Sequence, residues 1–576
     1  MKILGINAFH GDASAALVAG GQLVAAVEEE RFNRIKHWAG FPAESIRYVL
    51  GAGGVSVGDV DHVAVSFDPK ANLGRKALFT LINRPSLRSV IDRLRRQGKA
   101  LSIRERLAAA CGVPNAEVRA EIHHVEHHDA HLACGFLLSP FESASILSID
   151  GMGDFVSTVT ARGAGQQITK IDEVFYPHSL GFLYNAITIF LGFPNYGDEY
   201  KVMGLAPYGR PVYIDEFRRI IFPKGRTFEL NLDYFTHPQN GMSMSWDGGH
   251  PKVDAFHSRL LEQRLGPPRL PQDTLTTKHE NIAASLQAVS EEIIFHLLRR
   301  LHEEAPNDNV VLVGGCAMNA VANGKVTRET PFRQVYVPVG AADNGTAYGA
   351  AFDVWHRRLR QPRRFHLEHA YWGCGLEQGE CRAAVARAGL QGLEMDESQM
   401  LDRVVDAICD GKVVGWFQDR MEFGARALGS RSLLADPRRS DVRDMINLKI
   451  KFREKFRPFA PSVLEEHVAD YFEVHEPSPF MERVLPIRPE KQGEVPAVTH
   501  VDGSGRLQTV SRATSPLYWE LIDRFRRRTG VPMLLNTSLN ENEPIVRTPD
   551  EAVSCFTRTA MDMLVLGNLL VERNGR

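Results

Sequence analysis

A pair of histidines at helical spacing is the first feature of the sequence that could carry chemistry. His127 and His131 lie four residues apart in the apolar stretch VEHHDAHLACGFLL. This spacing places both imidazoles on one face of a helix, within reach of one metal ion, while His128 points elsewhere. The alternative is a purely structural histidine pair. Because Asp150 and Asp343 each follow an apolar strand candidate, we predict that all four side chains bind a divalent metal such as Fe(II), Mn(II) or Zn(II).

Two further polar segments contain candidate catalytic or binding residues. His10 and Asp12 lie in the first polar loop, separated by Gly11. The pKa of a histidine is near neutral, so His10 could act as the general base for a hydroxyl group; the alternative is a loop histidine bonded to backbone. Lys201 in EYKVMGLAPYG could contact phosphate, or could belong to a surface loop over an apolar helix.

The strands that must position these residues occur twice. KILGINA (2–8) is followed by a Gly-Asp loop and by the strand candidates ASAALVAGG and QLVAAVEEERF. ASILSID (144–150) is followed by a second Gly-Asp loop and by FVSTVTARG and ITKIDEVFY. The pattern strand, loop, strand, turn, strand predicts a duplication. It is typical of the actin and sugar-kinase superfamily, where two such hairpins hold nucleotide phosphates, whereas two unrelated β-meanders would be the alternative.

A glycine-rich segment extends the second copy. NVVLVGGCAMNAVANGKV (309–326) predicts a buried strand, a Gly-Gly turn and a small-residue helix. Glycine allows a ligand to approach the backbone closely. The predicted cofactor contacts in this half of the chain are Gly153, Gly314, Gly315, Asn319 and Lys201. The loop that carries Asp343 then leads into an Ala/Gly-rich helix.

The C-terminal third contains a locally basic region. Residues 420–457 carry eleven lysines and arginines against five acidic residues, interleaved with apolar residues. The sequence has no Walker A motif, so converging cations rather than a P-loop would bind a polyphosphate here. We expect Lys449, Lys451 and Arg453 to share one face of a strand. VPMLLNTSLN (531–540) predicts a buried strand that ends in polar residues able to contact phosphate or ribose.

The size and charge of the chain limit its class. With 576 residues the chain exceeds one ordinary core, so we predict domains at 1–355 and 371–576 joined by the charged linker 356–370. The net charge of -2 gives no general attraction to nucleic acid or membrane, and the basic segment 84–107 is interpreted as a solvated helix face. Seven scattered cysteines indicate neither disulfides nor a zinc ribbon. A cytoplasmic protein without signal peptide or spanning helix is expected.

Together, the motifs resemble the O-carbamoyltransferase family of nodulation-factor and antibiotic biosynthesis. The resemblance covers essentially the whole chain and rests on FHGDASAALV, EEERFNRIKH, HHDAH, SIDGMGD, EYKVMGLAPYG, VGGCAMNAVANGK, GARALGSRSLLADPR, FRPFAPSV and LLNTSLN. It implies an α/β protein with a duplicated actin-like N-terminal domain. It also implies a C-terminal domain similar to the threonylcarbamoyl-adenylate synthase (YrdC-like) fold.

The resemblance also implies a reaction. The C-terminal domain would condense carbamoyl phosphate with Mg-ATP to carbamoyl-adenylate, releasing pyrophosphate, and the N-terminal domain would transfer the carbamoyl group to a hydroxyl of a small molecule. Fe(II) would be the first choice of metal. Implied catalytic residues are His10, Asp12 and Lys451; implied carbamoyl-phosphate and ATP contacts are Arg426, Arg457, Arg506, Asn536 and Ser538. Many family members have His and Asp adjacent in the first loop, whereas Gly11 intervenes here.

Three other functions are weighed against this one. A tRNA-modifying threonylcarbamoyl enzyme is disfavoured by the balanced charge. An actin-like small-molecule kinase leaves the C-terminal cations unexplained, and a nucleotide-binding scaffold predicts no turnover. The sequence does not identify the acceptor; segments 66–120 and 210–280 are expected to shape its pocket.

Overall fold

The computed structural model describes residues 1–83, 102–242, 244–245, 251–474 and 476–573. These residues form two compact units, 1–367 and 368–576, each with mixed sheets covered by helices, so the predicted α/β class is confirmed. Most of the predicted basic helix 84–107 lies outside the described residues, although 103–107 belong to a helix that ends at Cys111.

The first sheet of the N-terminal unit is built on the first predicted hairpin. Its strands are β1 (Lys2–Asn7), β2 (Ser14–Ala19), β3 (Gln22–Glu28), β4 (His62–Val65) and β5 (Glu121–His124). The spatial order is β3-β2-β1-β4-β5. β1, β2 and β3 are antiparallel neighbours, whereas β4 and β5 continue the sheet in parallel with β1. The associated helices are α1 (Glu30–Asn33), α2 (Ala43–Ala52), α3 (Leu73–Asn83), α4 (Ile103–Cys111) and α5 (His127–Phe136).

The second sheet repeats this arrangement. Its strands are β6 (Ser143–Gly153), β7 (Val156–Ala164), β8 (Gln167–Phe175), β13 (Asn309–Val313) and β14 (Gln334–Tyr336). The order β14-β13-β6-β7-β8 matches the first sheet strand for strand, with the same antiparallel and parallel pairs. Such a match is what the predicted duplication requires.

The remaining elements of this unit lie between and after the strands of the second sheet. Two small hairpins pair β9 (Ile221–Lys224) with β10 (Thr227–Leu230) and β11 (Met244–Ser245) with β12 (Lys252–Val253). The helices are α6 (Leu180–Phe190), α7 (Glu199–Leu205), α8 (Ile214–Ile220), α9 (His237–Asn240), α10 (Arg259–Leu265), α11 (Thr277–Glu304), α12 (Ala320–Asn323), α13 (Val326–Glu329) and α14 (Thr346–Asp353).

The C-terminal unit is organised around one nine-stranded sheet. Its order is β15-β23-β22-β16-β17-β21-β18-β20-β19. The strands are β15 (Leu393–Glu394), β16 (Val414–Phe417), β17 (Arg431–Ala435), β18 (Ala460–Leu464), β19 (Arg483–Pro486), β20 (Ser504–Val510), β21 (Met533–Ser538), β22 (Met563–Leu566) and β23 (Leu569–Glu572). Its helices are α15 (Gln378–Arg387), α16 (Glu397–Cys409), α17 (Ser440–Lys449), α18 (Val468–Tyr471), α19 (Pro489–Gln492), α20 (Pro516–Thr529) and α21 (Pro549–Arg558).

The prediction that residues 449–453 form a strand is wrong. Lys449 is the last residue of helix α17, and Lys451 and Arg453 follow in a turn. Val442, Ile446 and Ile450 are buried and recur every four residues, which is the helical period rather than the strand period of two. The three cations therefore do not share a strand face.

Candidate functional site

Four side chains that could bind a metal converge in the N-terminal unit. α5 supplies His127 and His131, β6 supplies Asp150, and the short turn before α14 supplies Asp343. One ligand atom from each lies within 4.8 Å of the others. The Nε2 atoms of the two histidines are 3.0 Å apart. His127 Nε2 is 3.4 Å from Asp150 Oδ2, and His131 Nε2 is 3.5 Å from Asp343 Oδ1.

These distances fit a bound divalent ion. Ligand atoms about 2.0–2.1 Å from a tetrahedral metal are separated from one another by about 3.3 Å. Four of the six separations lie between 3.0 and 3.6 Å and bracket that value, and all lie within 4.8 Å. Both histidines are fully buried and both carboxylates are largely buried. Two nitrogen and two oxygen donors are typical of Fe(II), Mn(II) or Zn(II) rather than of Mg²⁺ or Ca²⁺.

The electrostatics of the cluster favour positive charge at its centre. Burial alone would lower the pKa of His127, but hydrogen bonds to Asp150 and Asp343 outweigh burial and raise that pKa well above its usual value. Burial would raise the pKa of Asp343, but hydrogen bonds to His127 and His131 hold it far below its ordinary range. A bound cation would satisfy the same carboxylates.

The end of β6 and the residue that follows it position the ring and the backbone of His127. The β6–β7 ladder shifts register between Ile149 and Gly153, and this irregularity takes Asp150 out of the regular pairing. A Cβ atom on Gly153 would lie 2.0 Å from the His127 ring, so only glycine allows the ring to pack there. Asp154 Oδ2 accepts a hydrogen bond from the backbone N–H of His127 at 3.0 Å.

His128 is a structural residue beside the cluster, in agreement with the prediction that it points elsewhere. Its Nδ1 lies 2.8 Å from Ser148 Oγ, and its Nε2 lies 3.1 Å from the Val156 carbonyl oxygen. Burial, reinforced by the charges of His127 and His131, lowers the pKa of His128 well below its usual value. His128 therefore remains neutral and ties α5 to the second sheet.

His10 reaches the metal-binding cluster from the first polar loop. The centre of its ring is 4.9 Å from that of His127 and 5.8 Å from that of Phe67. A Cβ atom on Gly11 would lie 2.6 Å from the Tyr196 hydroxyl, so the glycine between His10 and Asp12 makes room for that tyrosine. Burial, followed by the carboxylates of Asp343 and Asp12, raises the pKa of Tyr196 well above its usual value, which keeps its hydroxyl proton in place.

Asp12 has a partner that sequence reasoning missed. Asp12 Oδ1 lies 2.7 Å from Nδ1 of His37, and the backbone N–H of His37 donates to Glu30 Oε2 at 2.9 Å. Burial would lower the pKa of His37, but Asp12 outweighs burial and raises it to about 9, so His37 is protonated at neutral pH. The motif EEERFNRIKH already contains His37, but nothing in a sequence joins it to a residue 25 positions earlier.

The predicted cofactor contacts Gly314, Gly315, Asn319 and Lys201 have different surroundings. Some support the metal-binding cluster, and the others bond to side chains outside that cluster. The backbone N–H of Gly315 donates to Asp150 Oδ1 at 2.8 Å, and Gly314 has a φ of 89°, so this turn supports the metal-binding cluster. Asn319 instead exchanges hydrogen bonds with Gln287 and caps α12. Lys201 lies 3.0 Å from Asp198 Oδ1 and is therefore ion-paired within its own segment.

The C-terminal unit brings two predicted arginines together. Arg506 lies on β20 and Arg426 lies in the loop between β16 and β17. Burial, and then the positive charge of Arg426, lower the pKa of Arg506 well below its usual value, while Glu482 opposes both effects. Two neighbouring guanidinium groups repel each other, and a bound anion would relieve that repulsion.

Strand β21 carries two further predicted contacts, Asn536 and Ser538. Asn536 donates from Nδ2 to the Ala427 carbonyl oxygen at 3.2 Å and to Gln508 Oε1 at 3.0 Å, which places it between the segments that carry the two arginines. The ammonium group of Lys451 is buried and donates to Ser538 Oγ at 3.2 Å, to Asn540 Oδ1 at 2.6 Å and to the backbone carbonyl oxygens of Ser538 and Asn540. We call Arg426, Arg506, Lys451, Asn536 and Ser538 the cation pocket.

Arg457, another predicted contact, has partners within its own segment. It lies in the turn before β18, with its guanidinium 3.6 Å from Glu454 Oε2. Its backbone carbonyl accepts a hydrogen bond from Asn447 Nδ2 at 3.3 Å. The contacts of Arg457 thus help to shape the turn that follows α17.

Both units match one enzyme family. Residues 2–352 match the family described as Carbamoyltransferase N-terminus, and residues 405–573 match Carbamoyltransferase C-terminus. The chain therefore belongs to the carbamoyltransferase family, and it is a transferase. Within the described part of the chain, no helix combines the length and apolar character needed to cross a membrane.

Three relatives illustrate the breadth of the family. The nodulation protein NolNO of Sinorhizobium fredii is 39% identical over 98% of this chain and 80% of its own length. An uncharacterized protein of Synechocystis sp. is 38% identical over 100% of this chain and 97% of its own length. The 3'-hydroxymethylcephem-O-carbamoyltransferase of Amycolatopsis lactamdurans is 35% identical over 49% of this chain and 52% of its own length. The predicted family is thus confirmed.

Proposed function

We propose that this enzyme is an ATP-dependent O-carbamoyltransferase that works in two half-reactions, one in each unit. The observation that carries the proposal is the presence of two chemically different groups of side chains. One is the cation pocket in 368–576, and the other is the metal-binding cluster of His127, His131, Asp150 and Asp343 in 1–367, which we also call the four-donor cluster. One suits polyphosphate and the other suits a metal-assisted acyl transfer. The name of the cephem relative supports a hydroxyl group on a small molecule as acceptor.

The first half-reaction makes carbamoyl-adenylate. Carbamoyl phosphate and water give carbamate and phosphate; a carbamate oxygen then attacks the α-phosphorus of Mg-ATP, and pyrophosphate leaves. Arg426 and Arg506 would neutralise the phosphates. The Lys451 ammonium would exchange one of its protein acceptors for a phosphate or carboxylate oxygen, while Asn536 and Ser538 orient it. We assign this half-reaction to a unit that we propose to be similar to threonylcarbamoyl-adenylate synthase.

The second half-reaction consumes carbamoyl-adenylate. The acceptor hydroxyl attacks the carbamoyl carbon, the bond to the adenylate oxygen breaks, and AMP leaves. His10 would take the hydroxyl proton, since its ring lies against His127 at the edge of the cluster. A divalent metal held by His127, His131, Asp150 and Asp343, with Fe(II) as first choice, would supply Lewis acidity. We propose an actin-like fold for this unit.

We call the metal-binding cluster together with His10 the transfer site. The Asp12–His37 pair would organise the side of this site that binds the acceptor. His37 carries a positive charge at neutral pH because Asp12 raises its pKa, and it fixes the Asp12 carboxylate by a 2.7 Å hydrogen bond. The second carboxylate oxygen of Asp12 would accept a hydrogen bond from a hydroxyl of the acceptor. Tyr196, held against Gly11, would act as a donor there.

Pyrophosphate release tests the first half-reaction. The enzyme is supplied with Mg-ATP and carbamoyl phosphate, and pyrophosphate is measured with Lys451→Met beside Lys455→Met. Lys455 lies four residues away and is exposed, so its substitution controls for loss of one positive charge. We expect Lys451→Met to slow pyrophosphate release on the order of 100-fold and Lys455→Met to leave it within about twofold. Equal loss in both variants would contradict the proposed pocket.

Metal content and product formation test the second half-reaction. His127→Gln removes a proposed ligand, and His128→Gln removes the buried histidine next to it. We expect His127→Gln to lose the metal bound by the four-donor cluster, and with it carbamoylated product, while retaining pyrophosphate release. His128→Gln should lower stability but retain the metal. If His127→Gln stops pyrophosphate release as well, the two half-reactions do not belong to separate sites.

The same assay separates the alternative reactions. A small-molecule kinase would release ADP rather than pyrophosphate. A threonylcarbamoyl enzyme would require threonine and would modify tRNA. A panel of hydroxylated metabolites, analysed by mass spectrometry for an added carbamoyl group, would identify the acceptor.

A further inference from the structure

A second group of metal-binding side chains lies on the first sheet, away from the transfer site. His62 is the first residue of β4, and Glu121 and His123 lie on the neighbouring edge strand β5. His62 pairs with Glu121 across the parallel ladder, and Glu121 and His123 are two residues apart. The three side chains therefore project from one face of the sheet because of the strand geometry itself.

The donor atoms of this group are already close to one another. His62 Nδ1 lies 3.0 Å from His123 Nε2. Glu121 Oε2 lies 3.7 Å from His62 Nδ1 and 3.8 Å from His123 Nε2. Ligands of tetrahedral Zn²⁺ are about 3.3 Å apart, so small rotations of the side chains would bring all three donors to bonding distance from one ion.

The surroundings of the three residues suit a partly open site. The side chains of His62 and His123 are 15% and 10% exposed, and that of Glu121 is 69% exposed. The guanidinium of Arg358 opposes a cation here, but it lies 3.6 Å from Asp353 Oδ2, which offsets part of its charge.

This group is separate from the four-donor cluster. β4 runs from His62 to Val65, and Phe67, just beyond its other end, contacts His10. The strand rises about 3.3 Å per residue, so the two sites lie at opposite ends of β4. One metal ion cannot serve both.

We propose that His62, Glu121 and His123 form a second metal-binding site, and that the bound ion is Zn²⁺, a borderline divalent ion. Two imidazoles and one carboxylate leave one tetrahedral position for water. The bound ion would join edge strand β5 to β4, and β5 leads directly into α5, the helix that carries His127. Its role would be to hold that strand in register.

Zinc titration of the chelator-treated, full-length protein tests the proposal. The double variant His127→Gln/Asp343→Asn removes the four-donor cluster, so that only other sites remain. In this background we expect one equivalent of Zn²⁺ by calorimetry and by elemental analysis. Adding His62→Gln should remove that equivalent, and adding Glu121→Gln should weaken it by at least about tenfold.

Two controls keep the result interpretable. Glu117→Gln alters another exposed carboxylate that precedes β5 and should leave zinc binding unchanged. Glu121→Gln changes a mostly exposed side chain, so it tests the site even if the histidine variant loses stability. The proposal is overturned if the background variant binds no zinc, or if Glu121→Gln and His62→Gln both retain the full equivalent with unchanged affinity.

Discussion

At the scale of single residues, neighbouring histidines have opposite roles because direction and burial decide what an imidazole can do. His127 and His131 point their Nε2 atoms at two carboxylates, while His128 is satisfied by a hydroxyl and a backbone carbonyl. His37 pairs with Asp12 and is charged at neutral pH. The residue type alone would not separate a metal ligand, a structural contact and a fixed positive charge.

The His37–Asp12 pair makes stability depend on pH. The pKa of His37 rises from 6.5 to about 9 on folding. The pair's contribution to stability is therefore present in full below about pH 6.5 and is lost as the pH rises through about 9. We expect wild type to lose about 2 kcal/mol relative to His37→Gln between the two ends of this window.

The free energies of unfolding of both proteins, measured across that pH range, check this expectation. Comparison with the variant cancels the titration of all other groups. Asp12→Asn, which removes the partner, should flatten the profile as His37→Gln does. Parallel profiles for wild type and His37→Gln would show that Asp12 does not raise the pKa of His37.

Two glycines at the end of β6 differ sharply in what they tolerate. A Cβ atom on Gly153 would lie 2.0 Å from the His127 ring, whereas one on Gly151 would meet Phe182 at an ordinary 3.6 Å. We expect Gly153→Ala to displace the ring and weaken metal binding at least about tenfold, while Gly151→Ala retains it. Metal affinity by competition with a chelator provides the measurement, and equal affinities would show that the ring position is not critical.

At the scale of elements, the metal-binding cluster depends on the contact between two helices. α5 carries both histidine ligands, and α14 begins just after Asp343. Gly349 of α14 faces α5 so closely that a Cβ atom would lie 2.1 Å from the Ala130 carbonyl oxygen and 2.9 Å from Cys134 Cβ. The spacing of the helices therefore sets the distance between the histidine and aspartate ligands.

Gly349→Ala tests this dependence. The added methyl group should push α5 and α14 apart, lower the free energy of unfolding by about 1–3 kcal/mol, and weaken metal binding. Gly51→Ala in α2 is the matched control, because a Cβ atom there meets nothing within 4 Å and alanine favours helix by about 1 kcal/mol. Retained metal affinity in Gly349→Ala, measured by chelator competition, would contradict the role given to the helix contact.

Local patterns predicted the elements better than they predicted the contacts between them. The duplicated strands and the histidine helix follow from alternating or four-residue spacing, and these are local signals. Charges at every second position of 449–453 predict a strand, but buried Val442, Ile446 and Ile450 follow the helical period, and the chain is helical up to Lys449. The Asp12–His37 pair and the register shift at Asp150 arise only in three dimensions, so a single sequence does not contain them.

At the scale of the whole molecule, each unit has the interior of an independent domain. The C-terminal unit encloses a continuous core that includes Trp416, Phe417 and Phe525, and the N-terminal unit has its own core around Leu132, Phe136 and Val311. The proposed metal ligands belong to one unit and the cation pocket belongs to the other. Ligands of the two sites should therefore stabilise different parts of the chain.

Differential scanning calorimetry tests this division. We expect two unfolding transitions, because the units have separate cores. A divalent metal at about 100 times its dissociation constant should stabilise 1–367 by about 2.7 kcal/mol and raise only the midpoint of that unit. Mg-ATP should raise only the other midpoint. In His127→Gln/His62→Gln, which lacks both proposed metal sites, the response to metal should disappear while the response to Mg-ATP remains, and Lys451→Met should show the reverse. A single transition that both ligands shift equally would show that the two units unfold as one.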